Sequence, residues 1–151
     1  MTRFPNAVAW FNRVVIAFAT AVMAMIALRN LIDPVAATRA IDISLQSPTA
    51  VTVARVGLGG FPLGCAVLLA GCQLRRERLL IGVTLVAAVI GAATLARVEG
   101  LVLDGATTYN LGLLRPEIVM LTASITGIVL ERRRRRGHPA LPPIDAVRVA
   151  N

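Results

Sequence analysis

Four long apolar runs fill most of this 151-residue chain and leave it little choice of fold. Three are distinct, at about 7–28, 49–74 and 79–103, and a fainter fourth covers about 112–130. Inside hydrocarbon every backbone N–H and C=O must be satisfied within the protein, so runs of this length cross as helices. The expected fold class is all-α: a four-helix transmembrane bundle over 1–136, with both termini cytoplasmic and 137–151 a flexible tail. Composition agrees, because 56% of residues are hydrophobic and 16% charged, against about a quarter charged in soluble domains.

The first run is closed by Arg29-Asn30 and Asp33-Pro34. With Arg3 and Arg13 ahead of its stretch Val14 to Leu28, and Val35-Ala36-Ala37 behind, it imitates a signal peptide. Arg29 and Asp33 put too much polarity between the run and that site, so a retained first span is expected. Residues 33–48 suit an interfacial connection in which Asp33 caps a short helix with Pro34 in its first turn. The fourth run has an uncharged core of only Ile118 to Leu130. It either recruits Pro116, Glu117 and part of Leu111 to Leu114, or starts deep beneath an irregular loop.

Arginine sets the orientation. All sixteen basic residues are arginine, which we read as codon bias in a GC-rich bacterial genome, and the formal net charge is +8. The flanks on one side hold Arg3, Arg13, Arg75, Arg76, Arg78, Arg132, Arg133, Arg134, Arg135 and Arg136, against Arg29, Arg39 and Arg115 on the other. Ten against three puts both termini in the cytoplasm of a bacterium, with the chain multi-pass in the inner membrane. The block Arg132 to Arg136 is also expected to contact anionic lipid headgroups. Its position beside a span explains it better than nucleic acid does, which asks for a soluble basic face with interleaved aromatics.

Little here suggests catalysis, a metal or a cofactor. Cys65 and Cys72 lie seven apart on one helix, about 10 Å along its axis, too far to bridge. The lone His138 is in the tail. Thr122, Ser124 and Thr126 have no histidine beside them, and Ser44 and Ser47 fall in a loop, so no nucleophile has a base.

The informative residues are charges within the spans. Arg55 lies seven residues past Pro48 and Arg97 six before Leu103, so both sit about 10 Å inside the same end of the bundle. A charge at depth costs a few kcal/mol and calls for a partner. The candidates are Glu99, Asp104 and Glu117, which with Arg55 and Arg97 form a candidate ligand-binding cluster near the outer face. Helical phase favours Glu117 or Asp104 for Arg97, since Glu99 is rotated to nearly the opposite side.

Gly57, Gly59, Gly60 and Gly64 surround Pro62 in the second run, and the Gly60 to Gly64 spacing is that of close helix packing in lipid. Pro62 interrupts a phosphate-cradling register, so packing is the expected role. It also removes an amide donor and frees the carbonyl of Leu58, which predicts a kink close to Arg55.

Arg55-Val56-Gly57-Leu58-Gly59-Gly60, Arg97 followed by Asp104-Gly105, and Glu117 opening the last helix resemble an uncharacterised family of bacterial four-helix membrane proteins, itself similar to the DoxX-like group. The resemblance covers about Val14 to Leu130. It implies a four-helix bundle and no established activity. Relatives often carry an acid just before the first arginine, where this chain has Thr52 and Val53, so Glu117 or Glu99 would have to serve as its partner. The expected function is that of a structural or accessory membrane protein. The alternatives are a membrane-embedded binding protein or enzyme for an amphipathic ligand such as a lipid or quinone, and a small-molecule transporter. The last would need a homo-oligomer, joined through the second or third helix.

Overall fold

A computed structural model describes residues 3–136 of the chain. The expected tail lies outside these residues. Among them there is no strand, and four helical segments are long and apolar enough to cross a membrane: Asn6–Ile32, Pro48–Gln73, Arg76–Leu103 and Thr108–Arg136.

Helix α1 runs Arg3–Ile32, about a turn longer at each end than the apolar pattern suggests. Asp33 then caps the short α2, Pro34–Arg39, its Oδ1 accepting from the Ala36 amide at 3.0 Å with Pro34 in the first turn. Ser47 repeats the device for α3, Pro48–Ala54, accepting from Ala50 N at 3.1 Å. Each cap satisfies one of the amides that a helix start leaves without an internal acceptor.

The second span is one rod in three parts. After α3 comes a π-helical turn, Arg55–Gly60, and then α4, Phe61–Gln73. Phe61 N–H donates to the Val56 carbonyl five residues back. The widened turn stands directly before Pro62, where an ordinary α-helix would lack a donor and crowd the carbonyl four residues earlier. The irregularity expected beside Arg55 thus takes the form of a π turn. A 3-10 turn, Arg76–Arg78, leads to α5, Leu79–Leu103.

Helix α6, Thr108–Arg136, settles the start of the fourth span. It includes Leu111 to Leu114 and carries Pro116 in its interior. Thr107 begins it, its hydroxyl accepting from Asn110 N at 3.2 Å and its carbonyl from Leu111 N at 3.0 Å. The turn before it uses Gly105 at φ +95°, a left-handed backbone that glycine adopts without a Cβ clash.

Helix α1 packs against α4 and the π turn, α5 packs against α6, and α1 touches both α5 and α6. The core is not evenly distributed. Ala9, Val15, Ile16 and Ala19 of α1 meet Leu69, Leu79, Val83 and Val86 in the half nearest Arg75–Arg78. Beyond Val86 in α5, and before Ser124 in α6, no residue is fully buried. At that far end α5 and α6 depend chiefly on each other.

Close approach in the core rests on two glycines. A Cβ on Gly82 would stand 2.6 Å from Ile16 Cδ1 and 3.0 Å from Cys72 Cβ, and one on Gly127 only 2.5 Å from Asn12 Oδ1. The glycines around Pro62 behave differently from expectation. Gly59 alone is buried, against Leu31, whereas Gly57 and Gly64 face open space, Gly60 meets only the Arg55 carbonyl, and Pro62 is half-buried. The π turn shifts the helical phase, which is why only one glycine of the cluster reaches α1.

Candidate functional site

Arg97 and Glu117 form the main polar contact at the far end. From α5, Arg97 Nε donates to both carboxylate oxygens of Glu117 at 3.0 Å, and Nη2 donates to Oε1 at 2.7 Å. Nη1 donates to Asn110 Oδ1 at 3.2 Å. Every guanidinium nitrogen is therefore engaged within the chain. The side chains retain 22% and 15% exposure, so the pair stands at the edge of the bundle. Planar, two-point contact of this kind fixes geometry as well as charge.

The other residues expected in the cluster stand apart. Arg55, Glu99 and Asp104 are exposed and make no side-chain hydrogen bond or ion pair among the described residues. The π turn that carries Arg55 packs chiefly on α1, α3 and α4. Common depth brought these charges together on paper, but the direction in which each leaves its helix separates them. Asn110 joins Arg97 instead, because α6 begins early enough to hold it.

A second polar cluster, which sequence reasoning missed, lies at the arginine-rich end. Glu131 and Asn12 are both 0% exposed. Asn12 Nδ2 donates to Glu131 Oε2 at 3.4 Å, a long contact. Glu131 Oε1 receives Arg134 Nη2 at 2.6 Å and Arg135 Nε at 3.2 Å, and Oε2 receives Arg134 Nε at 3.0 Å. Arg135 Nη2 also donates to the Glu77 carbonyl at 2.6 Å. One carboxylate thus ties α1 to α6 and, through Arg135, to the α4–α5 turn. Asn12 Oδ1 and the Nε of the adjacent Arg13 are buried without a partner. Ser124, Gly127 and Glu131, spaced three and four apart, form the α6 stripe that makes the approach, and that spacing was the available signal.

Between the four helices near mid-span, Phe18, Met23, Cys65, Leu69, Ile90 and Met120 help line an apolar cavity of about 40 Å³. Ligand pockets usually hold about 300 Å³ or more. No group of three or more His, Cys, Asp or Glu among the described residues is placed to hold a metal ion, and Cys65 and Cys72 are free thiols.

Residues 11–126 match the model of a family described as a domain of unknown function (DUF4345). The chain belongs to that family. The DUF4345 match takes in Asn12, Arg55, Arg97, Glu99, Asp104 and Glu117, and ends before Glu131 and the arginine block. No curated protein and no solved structure matches the chain.

Proposed function

We propose that this DUF4345 protein is a structural or accessory protein of the bacterial inner membrane. It crosses four times, with both termini cytoplasmic and the Arg97–Glu117 pair near the outer face. The observation that carries this reading is the engagement of all three Arg97 nitrogens by Glu117 and Asn110. A guanidinium already satisfied in this way fastens α5 to α6 where hydrophobic burial has run out. The ten-to-three arginine asymmetry supports the orientation. The segments Arg55 to Gly60 and Arg97 to Gly105 support kinship with the DoxX-like group.

Anionic lipid headgroups remain partners in this account, with the block divided in its duties. Arg134 and Arg135 are committed to Glu131, leaving Arg132, Arg133 and Arg136 exposed for the membrane surface.

The 22% exposure of Arg97 favours a second reading, a site for the polar head of a lipid or quinone. Native mass spectrometry of the purified wild type and Arg97→Ala, with helical content followed in parallel, separates the two. The accessory reading expects no bound small molecule and a loss of folded protein in the variant. A co-purifying amphipathic molecule that is lost from a variant of unchanged helical content would replace it with the binding reading.

A further inference from the structure

Several charges at the far end of the bundle have no side-chain partner within the described residues, and two of opposite sign, Arg55 and Glu99, lie inside the spans. Arg55 is seven residues inside the second span, about 10 Å from Pro48, and Glu99 is four residues inside the third, about 6 Å from Leu103. Both are exposed. The spans alternate in direction through the turn at Arg76–Arg78, so these depths are measured from the same membrane face. An exposed charge there faces lipid or its boundary, at a cost that pairing removes.

Around Glu99 the surface is shaped for another helix. Ile81, Ala88, Ala92 and Glu99, spaced seven, four and seven apart, form one exposed stripe on α5. On α4, Gly64 and Gly71 are seven apart and a Cβ at either would meet nothing within 4 Å. Gly64 lies sixteen residues from Pro48 and Ala88 fifteen from Leu103, so both stand about 22–24 Å from the far end. Small residues at matching depth allow backbones to approach, with dispersion contacts taking the place that lipid chains would fill.

We infer that two copies of this chain associate side by side through their second and third spans, Arg55 of each copy pairing with Glu99 of the other. Charge complementarity selects the occupant: each copy supplies the missing partner at the right membrane face and depth. Helices α4 and α5 are neighbours, so their outward flanks adjoin. A twofold axis along the membrane normal then sets α4 against α5 of the other copy twice, and both charge pairs form in one closed, isologous interface. The inference goes beyond the accessory reading and does not require it.

Charge exchange is the test, read on the full chain by native mass spectrometry from lipid nanodiscs with helical content followed in parallel. The wild type is expected as a dimer, Arg55→Glu and Glu99→Arg are each expected to weaken the dimerisation constant about tenfold, and the combined variant to restore it. That loss corresponds to about 1.4 kcal/mol. A monomeric wild type, single variants that stay dimeric because Arg55 reaches headgroups instead, or a folded double variant that stays apart would each overturn the inference. Should the charge variants lose helical content, cross-linking of Gly64→Cys with Ala88→Cys, in a background with Cys65→Ala and Cys72→Ala, decides the matter. A cross-linked dimer sustains the inference, and a chain that remains monomeric under the cross-linker refutes it.

Discussion

Asn12 and Glu131, 119 positions apart in sequence, meet in the interior of the bundle, both fully buried, through a 3.4 Å hydrogen bond from Asn12 Nδ2 to Glu131 Oε2. The contact depends on Gly127, because any side chain there would occupy the space of the Asn12 carbonyl oxygen. It joins the first helix to the last at the arginine-rich end, while Arg97 and Glu117 join the last two helices at the other. Helix α6 takes part in both fastenings. Its share of fully buried residues is small, Ser124, Gly127 and Glu131, so polar contacts carry more of its attachment than they do for α1.

Gly127→Ala is expected to destabilise the bundle by about 1–3 kcal/mol, the usual penalty for overpacking. Asn12→Ala combined with it removes the opposing atom at 2.5 Å and should recover part of the loss. Gly112→Ala provides the contrast, since a Cβ there meets nothing within 4 Å, and the gain in helix propensity should leave it unchanged or slightly more stable. Thermal unfolding in detergent measures all three.

Glu131→Ala strands two arginines that its carboxylate holds and leaves Asn12 Nδ2 without an acceptor. Removing one member of a buried ionic cluster commonly costs about 3–5 kcal/mol. Arg135 is more exposed and holds the Glu77 carbonyl from outside the core, so Arg135→Ala should cost less. Equal losses in a denaturation series would contradict the central place given to Glu131.

Reporter fusions after Leu45, Arg78, Gly105 and Arg136 should alternate outside, inside, outside, inside. An inside signal after Gly105 would reverse the position assigned to Arg97 and Glu117.

Ser47→Ala removes the side-chain acceptor from Ala50 N at the head of the second span. A loss of about 1 kcal/mol is expected, typical of an N-cap. Hydrogen exchange should localise it to the Ala50 amide and its neighbours.

The spans were legible because length and apolarity act through the solvent, whatever the packing. The Asp33 cap was legible because it is local, lying three residues from its donor. Shared depth and helical phase offered Glu117 or Asp104 to Arg97, and only the packing of α5 on α6 gives it Glu117. Arg55 did not join them, because depth says nothing about direction around the helix axis and the π turn at Arg55–Gly60 breaks the 3.6-residue count. The Asn12–Glu131 contact stayed hidden for another reason. Asn12 sits in an apolar run, and Glu131 adjoins five arginines that read as an interfacial flank. Only packing of α1 on α6 tells which of those flanking charges turns inward.

The most direct test of the account is a double-mutant cycle on Arg97 and Glu117, comparing unfolding of the wild type, Arg97→Ala, Glu117→Ala and the combined variant in lipid nanodiscs. If the pair fastens α5 to α6, the two single losses should sum to more than the loss in the combined variant, with a coupling of about 1–3 kcal/mol. Additive losses, or single variants as stable as the wild type, would contradict the claim that this pair holds the far end of the bundle together.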